Sequence, residues 1–389
     1  MVRGMHPESA KLLAQVFIEQ KAVWPETLSE ENFFQDVVAQ GMAPLLFRRL
    51  AATSGVIRAV TKAWPDNLLL RLRKTALQQA AFEVIAERDL RHLLSAFADI
   101  HVYPLLLKGT PLSYTLYPEP GLRPRCDTDI LIPAKDQSKV KAFMKKMGYA
   151  PLHEAQVEYI NTQMSYVKKN IQGIACRYDV HWQVSNCNRQ FSQDFGQDFA
   201  NGNIFTQAEP IPVLGENART LNKVDAFIFA CFHRAGHFSH SGDRLIWLYD
   251  IHLFCQGMTE AESKQFYERA QELEILSLCA DAIETAQSWF GPVCSQTLQA
   301  VVQEGKEKNA AEASYQLLGN NRNDGIKRMT LLELQGLPSW PKRFLYIVQN
   351  LFPPPDFMLW RYQEEKRILL PWLYIRRFTE GLRILLSKK

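Results

Sequence analysis

The sequence predicts an α/β core with a mixed sheet, set between largely helical N- and C-terminal regions. Three observations carry this. From Asn67 to Ile100 the chain keeps helical apolar spacing with neither Gly nor Pro. Directly afterwards, over 102–133, the pattern changes to short apolar runs broken by Gly and Pro. After about residue 190 helical spacing returns. The divisions expected are therefore 1–100, a helical region; 101–190, the core; and 191–389, a second helical region.

The elements follow in order. ESAKLLAQVFIEQ near the N-terminus has apolar residues at helical spacing, and the 67–100 stretch is one long amphipathic helix beginning near Pro65 and Asp66. VYPLLL, 102–107, is a buried strand. Gly109 breaks it, and TPLSYTLY, 110–117, is a helix with Pro111 in its first turn. PEPGLRPR is a loop on its Pro and Gly content. TDILIP is a second strand, and KDQSKVKAFMKKMGY is an amphipathic helix ended by Gly148. SYVKKN and GIACRYDVHWQV form a hairpin turning at Asn170 to Gly173, whose second arm puts Arg177, Asp179 and His181 on one face. LNKVDAFIFACFHRAGHF and DRLIWLYDIHLFCQ are the clearest later helices, followed by helical patterns at about 260–290, 296–318 and 339–351. The last segment, from Glu364, is basic and amphipathic.

Bulk properties bound the reading. A chain of 389 residues holds two or three units at ~100–200 residues each. With 47% hydrophobic and 22% charged residues it has the makeup of a soluble globular protein. A net charge of +4 points only weakly to an anionic ligand. Seven cysteines, at 126, 176, 187, 231, 255, 279 and 294, include no CxxC pair, so free and mostly buried thiols in a reducing compartment are expected. MVRGMHPESAKLL has no long apolar run, and no run of ~18 apolar residues appears in the chain. The expectation is a cytoplasmic protein with neither a signal peptide nor a transmembrane span.

The chemistry concentrates in RPRCDTDILIP, 123–133. Asp127 and Asp129 stand at i and i+2, which places them on one face of a strand, where like charges repel. A divalent cation between them relieves that cost, and Mg²⁺ takes carboxylate and phosphate oxygens together. An isolated Asp-x-Asp reads more readily as a turn cap and a surface charge, since the motif is short, but its surroundings favour a site. Upstream, LLLKGTPL is strand, glycine, helix, an arrangement that presents backbone N–H groups to phosphate. Downstream, Asp179 sits between apolar neighbours as a third carboxylate.

The stretch LLLKGTPLSYTLYPEPGLRPRCDTDILIP, followed by RYDVHW, resembles the nucleotidyltransferases of the DNA polymerase β superfamily. Within that superfamily it is similar to the bacterial group known as uncharacterised nucleotidyltransferase family proteins. Gly109-Thr110 stands at the superfamily's Gly-Ser, Asp127 and Asp129 at its paired acids, and Asp179 at its third acid. The group's Lys-Gly, Tyr-Pro and Leu-Arg-Pro appear as Lys108-Gly109, Tyr117-Pro118 and Leu122-Arg123-Pro124. The likeness is close over about 100–185 and looser to the C-terminus. Thr110 departs from the usual Ser but keeps a hydroxyl. Gly109 and Asp127 lie 18 positions apart (127 − 109), further than in minimal members, across YPEPGLRP.

The resemblance implies a polymerase-β-like core that transfers NMP from an NTP to a hydroxyl or phosphate of an unidentified acceptor, with release of pyrophosphate. ATP is the expected nucleotide. Two Mg²⁺ ions, replaceable by Mn²⁺, would be held by Asp127, Asp129 and Asp179, with Asp179 also helping to deprotonate the acceptor. Gly109 and Thr110 would meet the β- and γ-phosphates. Lys108, Arg123 and Arg125 are candidate phosphate contacts or solvated loop charges. His181 would touch the acceptor or a phosphate, or be a structural histidine. The 191–389 region would select the acceptor. Two alternatives remain: an inactive nucleotide-binding or regulatory protein of the same fold, and a nucleic-acid 3′-end nucleotidyltransferase.

Other candidates are weaker. His233 and His237 share a helix face, but Arg234 stands where a zinc protease has glutamate. His237, Arg244 and Asp250 either line a pocket or, more simply, Arg244 pairs with Asp250. Cys126 is expected to pack on the face opposite the aspartates. The basic C-terminus, with Arg361, Lys366, Arg367, Arg376, Arg377, Arg383, Lys388 and Lys389, suits nucleic acid or a weak peripheral contact with an anionic membrane. Its Trp372, Tyr374 and Phe378 also suit helix packing.

Overall fold

The computed structural model describes residues 5–18, 23–52, 64–152, 163–171, 173–183, 203–237, 243–292, 295–308, 334, 337 and 339–386. Three short helices open the chain: α1 (Pro7–Ile18), α2 (Glu30–Ala39) and α3 (Ala43–Ala52). Ser29 caps α2, its Oγ accepting from the Asn32 N–H at 3.4 Å. The Gly- and Pro-free stretch forms one 34-residue helix, α4 (Asp66–Asp99). It stops at Ile100, and His101 beyond it takes a left-handed φ of 53°.

The core follows as β1 (Leu105–Leu107), α5 (Gly109–Thr115), β2 (Thr128–Leu131), α6 (Gln137–Lys146), β3 (Ala150–Pro151), β4 (Gln163–Lys169) and β5 (Ala175–His181). Strand β1 is shorter than the 102–107 run because helix-terminal residues and Pro104 take up its start. The hairpin turns where expected, with Asn170 Oδ1 accepting from the Ile174 N–H at 2.9 Å. After the short α7 (Asn203–Thr206), β6 (Glu209–Pro210) and β7 (Arg219–Thr220) complete a seven-stranded sheet of order β3-β4-β5-β2-β1-β7-β6. The pairs β1–β7 and β2–β5 are parallel and the others antiparallel. The boundary expected at residue 190 therefore runs through the sheet, because two strands of only two residues each leave no readable alternation.

Helices follow as α8 (Lys223–His237), α9 (Leu245–Gly257), α10 (Glu260–Glu272), α11 (Leu276–Phe290), α12 (Gln296–Lys308), α13 (Trp340–Leu351), α14 (Pro355–Tyr362) and α15 (Leu370–Leu386). Residues 309–318 of the expected helical pattern lie outside the described residues.

Strand alternation assigns the two faces of the sheet. Leu105, Leu107 and Leu131 join a core with the N-terminal helices and α8 to α12. Leu106, Ile130 and Ile132 join a second core with the C-terminal half of α4 and with Val140 and Met144 of α6. Asp129 is in register with Leu107 and Asp179, and His181 with Leu131. These polar residues therefore share the sheet face that meets the helical regions. Among the described cysteines, 176, 231, 255 and 279 are buried free thiols. Cys126 is exposed rather than packed, since β2 begins only at Thr128.

Candidate active site

Register brings the acids together. Asp129 and Asp179 are directly opposite on parallel neighbours β2 and β5, and His181 follows two residues on. Ligand atoms of Asp129, Asp179 and His181 all lie within 4.8 Å of one another. Asp127 stands outside this group: it precedes the strand and is exposed, so the two acids of Asp-x-Asp do not alternate along one strand as expected.

Asp129 Oδ1 accepts from Lys108 Nζ at 2.6 Å and from His181 Nε2 at 2.8 Å. Burial works against the Asp129 charge, yet Lys108 and then His181 hold its carboxyl well below the usual carboxylate range. Lys108, whose burial would favour the neutral amine, is instead held above the ordinary lysine value by Asp129 and then by Asp179 and Asp127. Its backbone pays a conformational cost (φ 56°, ψ −129°), in a region that favours glycine. Burial, with Lys108 next, lowers the His181 pKa, so its imidazole is neutral at pH 7. A neutral ring donating through Nε2 leaves Nδ1 as a bare lone pair, and that buried atom has no hydrogen-bond partner among the described residues. Asp179 Oδ2 accepts from Gln163 Nε2 at 3.0 Å. Asp127 is exposed as a residue, but desolvation of its carboxyl and then the Asp129 and Asp179 charges push its pKa up to about 6.

The donor set fits a divalent ion. Two carboxylates suit a hard cation, and an imidazole with an orphaned nitrogen suits Mn²⁺ better than Mg²⁺. Lys108 already puts one positive charge on Asp129, which marks the spot as one where cations are stabilised.

The arginines are committed elsewhere. Arg123, expected at phosphate, is buried and forked onto Asp250, with Nε to Oδ1 at 2.8 Å and Nη2 to Oδ2 at 2.5 Å. Tyr117 donates to the same carboxylate at 2.6 Å. Asp250 is thus taken by Arg123 and Tyr117 instead of Arg244, which lies over the Trp247 ring at 5.6 Å. Arg125 meets Glu83 Oε1 at 2.8 Å and Thr128 Oγ1 at 2.6 Å. Glycine at 109 has a local reason: a Cβ there would collide with Arg123 Nη1. Thr110 is buried, and its hydroxyl turns to Thr128 Oγ1 at 3.4 Å. His233 and His237 meet edge to face at 4.6 Å and both pack against the Trp247 ring, an aromatic cluster rather than a ligand pair. Lys108, Arg123, His233, Trp247 and Asp250 line a cavity of ≈ 20 Å³ behind the acids, room for about one water.

Sequence reasoning missed Glu83 as an anchor and gave Asp250 the wrong partner, Arg244 in place of Arg123 and Tyr117. Glu83 could have been found, because it interrupts the buried stripe of α4 that Leu72, Ala86 and Leu90 otherwise make. It also underrated His181 as a possible ligand, since a strand histidine carries no spacing signal.

No curated protein matches the chain. The sequence of the family described as uncharacterised nucleotidyltransferases matches residues 28–291, which takes in α2 to α11, the whole sheet and every residue of the site. The chain belongs to that family, whose members are transferases of phosphorus-containing groups.

Proposed function

We propose that the protein transfers NMP from an NTP, with ATP the expected donor, to a hydroxyl or phosphate of an acceptor and releases pyrophosphate. The observation that carries this reading is the pairing of Asp129 with Asp179 across parallel strands, with His181 and Lys108 closing on the same carboxylate. The order of strand, Gly109-Thr110, helix, Asp127-x-Asp129 and a later strand with Asp179 supports a polymerase-β-like core.

A divalent ion bound there would neutralise the triphosphate and polarise the attacked phosphorus. Asp129 and Asp179 would hold it, with His181 or Asp127 as a further ligand and Asp127 serving a second ion. Asp179 would accept the acceptor's proton. Lys108, kept charged, would turn to phosphate as the ion takes over Asp129. Gly109 leaves the chain thin beside the site, and its N–H with that of Thr110 would meet the phosphates. Arg123 and Arg125 act as braces: one ties the loop before β2 to α9 and the other ties it to α4.

The test is incubation of the protein with each α-labelled NTP, Mg²⁺ or Mn²⁺, and cell lysate, beside Asp129→Asn and Asp179→Asn. Label should move to an acceptor with the wild type alone. Transfer that survives in both folded variants refutes the site; nucleotide binding without transfer favours a regulatory protein; labelled oligonucleotide ends favour the nucleic-acid alternative.

A further inference from the structure

The site leaves one part of the chain without a role, the helices after residue 339. Among the described residues, eleven of the twenty-one exposed large apolar side chains fall between Trp340 and Leu382. They are ordered. On α13, Trp340, Phe344 and Ile347 recur at i, i+4 and i+7, which is one helical face. On α15, Trp372, Ile375 and Leu382 recur at i, i+3 and i+10, again one face. Trp340 is 80% exposed, Ile375 63% and Trp372 52%. The other side of α15 is accounted for: Leu373 is buried, Tyr374 Oη donates to the Pro353 carbonyl at 2.5 Å, and Arg377 Nε to the Asn350 carbonyl at 2.7 Å. The outward stripes are therefore not cores turned the wrong way. The inner face of α15 is packed, and the outer one is apolar as well.

Charge accompanies the stripes. Residues 340–386 carry eight Lys and Arg against four Asp and Glu, an excess equal to the whole chain's +4. Arg376 lies at 5.6 Å over the Trp372 ring and Arg343 at 5.4 Å over Trp340, so cations edge both stripes. No helix among the described residues is long and apolar enough to cross a membrane.

We propose that α13 and α15 form a docking surface for an anionic lipid bilayer, lying in its interface with the stripes inward and the arginines at the headgroups. Tryptophan beside arginine suits the headgroup boundary, and an amphipathic helix with a basic edge lies on such a surface without spanning it. The aliphatic residues decide against nucleic acid. Ile347, Ile375 and Leu382 gain nothing from phosphate or from stacking, but they gain from leaving water for acyl chain. The cationic excess decides against a second copy, since two such faces repel. This inference does not depend on the catalytic reading.

The test is sedimentation of the full chain with vesicles of phosphatidylcholine alone and of phosphatidylcholine mixed with phosphatidylglycerol. Pelleting with the anionic vesicles should exceed that with neutral ones by about tenfold in affinity and weaken with added salt. Trp340→Ser with Ile375→Ser should abolish it. Lys366→Gln with Arg383→Gln should weaken it on anionic vesicles only, about tenfold, which keeps the test intact if the first pair folds poorly. Absence of pelleting, equal binding to both vesicles, a concentration-dependent dimer that Trp340→Ser with Ile375→Ser disperses, or displacement from vesicles by an oligonucleotide would each overturn it.

Discussion

Asp129 accepts two hydrogen bonds on a single oxygen, and one of them comes from a lysine held in a backbone conformation that side chains avoid. The Lys108 charge offsets the repulsion between Asp129 and Asp179, which stand opposite each other on β2 and β5. Lys108→Met should lower the melting temperature in chelator. Divalent metal should then raise it by more than it raises the wild type, because the metal replaces the missing charge. Scanning fluorimetry with Mn²⁺ reads this directly; a metal-induced shift no larger than the wild type's would sink the account. At the same scale, Asp129→Asn should cost roughly 10³-fold or more in label transfer, as a few kcal/mol of charge stabilisation disappears.

Helix α4 anchors the α/β core at two places through acids on its inner side. Glu83 Oε1 accepts from Tyr114 Oη at 2.7 Å and from Arg125 at 2.8 Å. One turn and a half further, Asp89 Oδ2 accepts from Tyr149 Oη at 2.8 Å and Tyr178 Oη at 2.7 Å. The Arg125–Glu83 pair is buried on both sides, so removing one partner strands the other. Glu83→Leu should destabilise the fold by about 3–5 kcal/mol in urea unfolding. Glu83→Gln, which keeps an acceptor, should cost less, and equal losses would mean that the charge is immaterial. A second close approach joins α11 and α12, where a Cβ on Gly305 would run into Ala280 Cβ and the Leu276 carbonyl. Gly305→Ala should cost about 1–3 kcal/mol by overpacking, despite alanine's better helix propensity. A stabilised variant would show that the helices part freely.

For the molecule as a whole, acid sensitivity should come from imidazoles buried in the helical core. Burial holds His252 down at about 4, and its Nδ1 has no partner among the described residues. The unfolded chain protonates that ring near pH 6.5, so between the two values the unfolded state binds the extra proton. Stability is therefore full above about 6.5 and falls as pH drops toward 4, by up to roughly 3 kcal/mol from this ring. His252→Phe, set among Tyr249 and Phe290 rings at 5.8 and 5.4 Å, should flatten the decline in melting temperature between pH 7 and 5. An unchanged pH slope would assign the acid sensitivity to His233, which burial also pushes well below the usual histidine value.

Periodicity was enough to locate α4, α6, the β4–β5 hairpin and the later helices, because a 3.6- or 2-residue apolar repeat is a local property of the chain. The family was legible for the same kind of reason: Lys108-Gly109, Asp127-Thr128-Asp129 and Tyr178-Asp179 are short and close in sequence. Tertiary structure alone decided which of those residues meet. Parallel pairing of β2 with β5 across some fifty residues sets Asp129 against Asp179 and adds His181, while the late start of β2 leaves Asp127 and Cys126 in the loop before the strand. It also turned Arg123 and Arg125 from loop charges into buried braces, because their partners, Asp250 and Glu83, lie 127 and 42 residues away. Contacts at such separations depend on register and packing between elements, which no local pattern encodes.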